Sequence, residues 1–223
     1  MTYLGIDIGT SEVKAILTDD AQTILASSGV TLRVSSHHPG WSEQNPEDWW
    51  HATLDVIAAI RAAQPVAFSG LRGIALSGQM HGATLLDKQQ HVLRAAILWN
   101  DTRAFAECVE LEALVPESRA ITGNQAMPGF TAPKLLWLQK YEPSLFRAIS
   151  KVLLPKDYVA LRLTGDCVSD MSDASGTLWL DVAKRDWSER MLAATGLTRE
   201  HMPRLVEGSH AAASLELVVP FEA

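Results

Sequence analysis

Cysteine is nearly absent from these 223 residues. Cys108 and Cys167 stand far apart, with no Cys-x-x-Cys pair and no Cys/His ligand spacing. That excludes a disulfide scaffold and a zinc module, and points to two reduced thiols in a cytoplasmic protein. No apolar run approaches membrane-spanning length, and the chain passes at once into a strand carrying Asp7, so neither a membrane span nor a signal peptide is expected. Positive charge is short too. With 19 Lys and Arg against 26 Asp and Glu, the net charge of −7 argues against nucleic acid or an anionic membrane as the main partner. Also missing are the Gly-Lys-Ser/Thr ending of a Walker-type loop, any internal repeat and any low-complexity stretch.

What is present suits a globular protein: 47% hydrophobic residues, 20% charged, and a length sufficient for one large domain or two small ones. The first ~90 residues read as strands around one helix. Tyr3–Ile8, Val13–Thr18 and Thr23–Ser27 make an antiparallel meander. Asn45-Pro46-Glu47-Asp48 supplies an N-cap, a proline at N1 and acidic first-turn residues for a helix whose core stripe is Trp50, Leu54, Ile57 and Arg61. Gly73–Ser77 reads as a parallel strand buried on both faces. That order is the order of a ribonuclease-H-like α/β domain, with a mixed sheet and flanking helices, the unit repeated in actin-like ATPase and sugar kinase folds. Beyond residue 100 the chain reads as mostly helical. Helices are expected from Asp101/Thr102 through Val115, from Thr131 to Tyr141, after Pro143 and over Lys156–Leu163, with short strands at Ala95–Leu98 and Val152–Leu154 and a loop at Ser172–Gly176.

Four motifs carry chemistry. Asp7-Ile8-Gly9-Thr10-Ser11 ends a buried strand with a carboxylate and continues as a small-residue turn into the next strand. Converging backbone N–H groups there suit a phosphate and Asp7 a divalent cation, although the residues alone are equally those of a tight turn. Ser77-Gly78-Gln79-Met80-His81-Gly82 ends a parallel strand, where open α/β sheets bind ligands, and either presents Met80 and His81 between glycines to a small polar ligand or is a plain loop with a surface histidine. Trp99-Asn100-Asp101-Thr102-Arg103 offers Asn100 and Asp101 to sugar hydroxyls, or Asp101 as a helix cap paired with Arg103. Ser169–Thr177 is a run of small polar residues with two carboxylates, which either lines a cleft or satisfies its own backbone. The adjacent His37 and His38 would point to opposite faces of a strand and have no third ligand nearby, so that loop is expected to be pinned by Trp41 onto the helix start. Trp49, Trp50, Trp137, Trp179 and Trp187 read as core or loop anchors.

Taken together, Asp7-Ile8-Gly9-Thr10-Ser11, Pro39-x-Trp41-Ser42-Glu43-Gln44, Gln79-Met80-His81-Gly82, Leu98-Trp99-Asn100-Asp101-x-Arg103, Leu154-Pro155-Lys156-Asp157-Tyr158 and Ser169-Asp170-x-Ser172-Asp173-Ala174-Ser175-Gly176-Thr177 resemble one family. They look like the amino-terminal half of the D-xylulose kinases within the FGGY carbohydrate kinases, over about residues 3–208, and the Met-His pair is the specific part. The resemblance implies an ATP-dependent phosphotransferase acting on D-xylulose or a close ketose with Mg2+. It implies that Asp7 assists at the metal-phosphate end, that Gln79, Met80, His81, Asn100 and Asp101 serve the sugar, and that Gly9, Thr10, Ser11 and Lys14 serve the phosphates. Family members are about twice as long, and their catalytic base lies in a Gly-Gly-Asp-Asn-type segment with no match here. Residues 1–223 are therefore expected to be the sugar-binding half alone, inactive by itself and open to homodimer formation through a bare cleft face. The alternatives are a non-catalytic sugar-binding or self-associating domain and a metal-dependent nuclease; the second is opposed by the acidic charge balance.

Overall fold

The computed structural model describes residues 1–212. In chain order the elements are β1 (Thr2–Ile8), β2 (Glu12–Asp19), β3 (Ile24–Thr31), β4 (Glu43–Gln44), α1 (Pro46–Ala63), α2 (Pro65–Ser69), β5 (Leu71–Gly78), β6 (Thr84–Leu86), β7 (Ala96–Ile97), α3 (Phe105–Leu114), α4 (Ser118–Thr122), α5 (Thr131–Tyr141) and α6 (Pro143–Ala148). There follow β8 (Lys151–Leu153), α7 (Pro155–Thr164), β9 (Val168–Asp170), α8 (Met171–Ser175), β10 (Leu180–Asp181), β11 (Asp186–Trp187), α9 (Glu189–Ala194) and β12 (Arg204–Val206).

The main sheet has the order β3-β2-β1-β5, with the meander antiparallel and β5 parallel to β1, so it is mixed as expected. Leu4, Ile6 and Ile8 alternate inward along β1 with Val13, Ala15 and Leu17 of β2. They pack on α1, whose Asn45 side chain accepts a hydrogen bond from the Glu47 amide, an N-cap that fixes where the helix starts. The buried stripe of α1 is Trp49, Trp50, Thr53, Val56, Ile57 and Ile60, so Leu54 and Arg61 lie at its margin rather than at its centre. Each such buried large side chain contributes about 1.5–3 kcal/mol.

β5 departs from the expectation of a strand buried on both faces. It forms the sheet edge, and Arg72, Ala75 and Ser77 are exposed, because among the described residues no layer covers the sheet face on which Tyr3 and Asp7 also lie.

A second core gathers α3, α5 and the α8–α9 region around Leu111, Leu135, Leu138, Trp179, Trp187 and Leu192. The β6–β8 ladder divides the two cores by strand alternation: Leu85 and Val152 face one, Leu86 and Leu153 the other. Trp41 stacks edge-on against Trp137 of α5 instead of the α1 start, since the Arg103 guanidinium lies 3.6 Å over its ring and holds it there. α3 begins at Phe105, later than Asp101, because the Asp101 carboxylate is taken up by Arg103 and the Ser42 amide. The expected loop at Ser172–Gly176 is largely the short helix α8, capped by the Asp170 side chain at the Ser172 and Asp173 amides. The five tryptophans expected as anchors are all buried. Of the carboxyl-terminal segment that departs from the family pattern, residues 213–223 lie outside the described residues.

Candidate ligand site at the strand ends

Parallel pairing sets β1 and β5 in register at their carboxyl ends, Asp7 beside Ser77 and Ile8 beside Gly78, and the Gln79 amide donates to the Ile8 carbonyl at 2.8 Å. The Asp7–Ser11 turn and the Gln79–Gly82 loop are therefore built side by side by the sheet itself. Asp7 is exposed, and its carboxylate makes no hydrogen bond or ion pair among the described residues. In the turn, the Gly9 amide closes onto the Glu12 carbonyl, whereas the Thr10 and Ser11 amides have no acceptor among the described residues. Lys14 faces Asp7 across the β1–β2 ladder, but its ammonium is drawn to Glu12 at 2.6 Å. That neighbouring carboxylate also holds the Lys14 pKa above its ordinary value.

A directional hydrogen-bond chain fastens the turn to the loop. An indole only donates, so Trp49 Nε1 at 3.1 Å fixes the Gln44 side-chain oxygen toward it. The Gln44 amide nitrogen must then face the carbonyls of Thr10, at 2.7 Å, and Arg33. Gln79 can approach Gln44 Oε1 only with its own NH2, at 2.8 Å, and thereby turns its oxygen to the Thr10 hydroxyl, which donates at 3.1 Å. Thr10 Oγ1 in turn accepts from the Trp99 indole at 3.0 Å. Gln79 is buried and its polar atoms are engaged inside the protein, which makes it the frame of the loop.

Around this frame the other residues divide. Met80 is 47% exposed and Trp99 44%, and Asn100 is exposed beside it. Asp101, by contrast, is buried beneath them, bonded to Arg103 and to the Ser42 amide. His81 is packed between Phe130, ring centroids 4.5 Å apart, and Gly176, whose carbonyl lies 2.7 Å from Nδ1. A carbonyl accepts only, so Nδ1 carries the proton and Nε2 is an acceptor with no partner among the described residues. Burial, assisted by the nearby Lys134, lowers the His81 pKa to about 4, so the ring is neutral at physiological pH.

Two features escape the sequence reading. Lys134 of α5 is completely buried and donates to the carbonyls of His81, at 2.8 Å, and Ile97, at 3.1 Å, while burial brings its pKa down to about 7. The signal available in the sequence was a lysine on the apolar face of Thr131–Leu138. The second is Lys156, at 2.6–3.0 Å from Asp157, Asp170 and Asp173, which ties the start of α7 to α8 next to Gly176. Burial raises the Asp157 pKa to about 6 against the pull of Lys156. Among the described residues no cluster of His, Cys, Asp and Glu forms a ready metal cage, so a cation here would take Asp7 together with ligand oxygens. No helix among the described residues is long and apolar enough to cross a membrane.

Comparison with known proteins fits this geometry. The model of the FGGY family of carbohydrate kinases, N-terminal domain, matches residues 2–219. The chain is 57% identical over 213 residues to the xylulose kinase of Escherichia coli, covering 96% of this chain and 44% of that protein. To the xylulose kinase of Bacillus subtilis it is 41% identical, covering 95% of this chain and 43% of that one. A crystal structure described as a xyloylose kinase from Brucella ovis superposes with a TM-score of 0.95 at 57% identity, covering 98% of this chain and 46% of that one. The chain thus spans less than half the length of the relatives it matches.

Proposed function

The chain belongs to the FGGY family of carbohydrate kinases, matching its N-terminal domain, and from that premise we propose that it is the sugar-binding half of an ATP-dependent D-xylulose kinase. The reaction would be D-xylulose + ATP to D-xylulose 5-phosphate + ADP. The observation that carries the reading is the pairing of an exposed Met80 and a neutral, acceptor-bearing His81 with the open Asp7–Ser11 turn, joined through Thr10 and Gln79. Relatives of more than half identity are xylulose kinases, which supports the ketose over other sugars.

Phosphoryl transfer needs a positioned hydroxyl, a metal bridging phosphates and a carboxylate at the attacking oxygen. In this reading Met80, His81, Trp99 and Asn100 hold the sugar, while Gln79 and Asp101 brace the loops from behind. The Thr10 and Ser11 amides, without acceptors among the described residues, receive a phosphate, with Gly9 allowing the turn and Lys14 adding positive charge at its edge. Asp7, exposed at a strand end beside those amides, fits Mg2+, which would offset phosphate charge. The second carboxylate is not among these residues, so the 223-residue chain alone should not turn over. Two unpaired thiols suit a reducing, ATP-rich cytoplasm.

The test is a coupled ATP-consumption assay on a ketose panel, using this chain and a chimera that joins it to the remainder of the Escherichia coli relative. D-Xylulose-dependent ADP release is expected from the chimera alone, and Asp7→Asn within it should lower kcat by about 10²-fold or more without lowering Tm. Turnover by the chain alone would refute its dependence on a second domain. A folded chimera indifferent to D-xylulose would refute the substrate.

A further inference from the structure

His81 has φ +65°, a left-handed conformation rare and strained for a residue with a side chain. Something must hold it there. Its carbonyl receives two side-chain donors from α5, the Thr131 hydroxyl at 3.2 Å and Lys134 Nζ at 2.8 Å. The second bond of Lys134 goes to Ile97, in the strand that leads directly to Trp99 and Asn100. Neither carbonyl depends on the lysine for satisfaction, since Ile97 also accepts from the Ala83 amide at 3.0 Å and His81 from Thr131. What the buried amine adds is a fixed spacing between the two ligand loops.

We propose that Lys134 is a positioning residue: with Thr131 it clamps the His81 carbonyl, and the clamp commits Nδ1–H to Gly176 so that Nε2 faces the ligand as an acceptor only. The inference rests on the sugar-kinase reading only for what Nε2 meets. An acceptor requires a donor, so a neutral sugar hydroxyl fits, whereas a carboxylate or phosphate oxygen would set lone pair against lone pair. At that contact the site takes a hydroxyl and disfavours a carboxylate, as a sugar acid would place there. The charged neighbour supports this polarity: Lys134, itself influenced by Asp101 and Arg103, approaches from α5 and disfavours a second proton on the ring.

The clamp is testable on the ligand-free chain by long-range 1H–15N spectra of histidine, with His81 assigned by the signal lost in His81→Gln. Expected is a ring protonated on Nδ1 that stays neutral until the pH nears its lowered value of about 4. Lys134→Met, which leaves no orphaned carbonyl, should release the ring, giving mixed tautomers and titration nearer 6.5; Thr131→Val should shift it part of the way. In the chimera Lys134→Met should raise KM for D-xylulose about five- to tenfold, the scale of one lost hydrogen bond, with KM for ATP unchanged. An Nε2-protonated ring in the wild type, or unchanged His81 signals in folded Lys134→Met, overturns the proposal; if that variant does not fold, unchanged signals in Thr131→Val do so. Preference for D-xylulose over D-xylonate supports the acceptor assignment and the reverse preference overturns it. Absence of any sugar response with the expected tautomer leaves the clamp standing and refutes the sugar-site reading instead.

Discussion

Gly176→Ala should separate the cost of crowding from the cost of backbone strain at this site. Gly176 has ordinary φ −75°, ψ 0°, so alanine needs no unusual backbone there. Removing a glycine from the unfolded chain should even stabilise by about 0.4–1 kcal/mol. Space is the obstacle. A Cβ would sit 2.6 Å from His81 Cε1 and 2.8 Å from Nδ1, so the imidazole must retreat by about 0.8 Å to reach ordinary contact. Phe130 closes the opposite side, and the His81 carbonyl is held by Thr131 and Lys134, so neither ring nor backbone has free room.

Overpacking of this kind costs about 1–3 kcal/mol. Set against the entropic gain, the net loss is about 1–2 kcal/mol, or roughly 2–8 °C in Tm for a chain of this size. The Nδ1–H bond to the Gly176 carbonyl should lengthen, and sugar binding in the chimera should weaken with it. Gly165→Ala is the control: its φ is +79° with nothing within 4 Å of a new Cβ. It should cost about 1–2 kcal/mol through backbone strain alone and leave His81 untouched. Thermal melts and histidine 15N spectra of both variants decide the matter. Unchanged stability and an unmoved His81 ring in Gly176→Ala would show that the loop yields freely, and would refute the picture of a ring confined between Gly176 and Phe130.

Two further perturbations probe the frame. Gln79→Glu keeps the shape but sets an oxygen against Gln44 Oε1, so it should destabilise by about 1–3 kcal/mol at neutral pH and recover in acid as the carboxyl regains a proton to donate; a pH series of melts checks this. Lys156→Met leaves Asp157, Asp170 and Asp173 without their shared cation and should cost about 3–5 kcal/mol by urea denaturation, whereas a loss below 1 kcal/mol would show that these carboxylates are already protonated or solvated.

Local chemistry made much of this fold legible in the sequence. Asn45-Pro46 marks the start of α1 because a cap and a fixed φ act within three residues, and the β1–β2–β3 alternation is visible because each strand has one wet and one dry face. Gly73–Ser77 misleads for a long-range reason. Its composition is that of a two-sided strand, yet only one face is covered among the described residues, and composition does not say which layers are present. The candidate site was legible as separate motifs at strand ends, Met80 and His81 among them. It was not where side chains bind across 35 to 89 positions: Gln79 with Gln44, and Trp99 with Thr10, become partners only through the sheet register. Of the two roles the sequence left open for Asp101, the structure shows the pairing with Arg103, a tertiary outcome, since that guanidinium also lies over the Trp41 and Trp137 rings.

The polar groups that remain open sharpen the functional argument. Folded proteins pair nearly all buried donors and acceptors, and here the directional chain from Trp49 to Trp99 leaves the frame internally paired. The Asp7 carboxylate, the Thr10 and Ser11 amides and His81 Nε2 stand apart, without partners among the described residues and gathered at the carboxyl ends of two parallel-paired strands. Their polarities also differ in an ordered way, with a negative group and two donors at the turn and a neutral acceptor at the loop. In the proposed reading a cation with a phosphate would meet the first set and a sugar hydroxyl the second, and the Thr10–Gln79 bond ties the turn to the loop. One small ligand of a single charge type would leave half of these groups unmatched; a neutral polyol held against a metal-bound phosphate matches both.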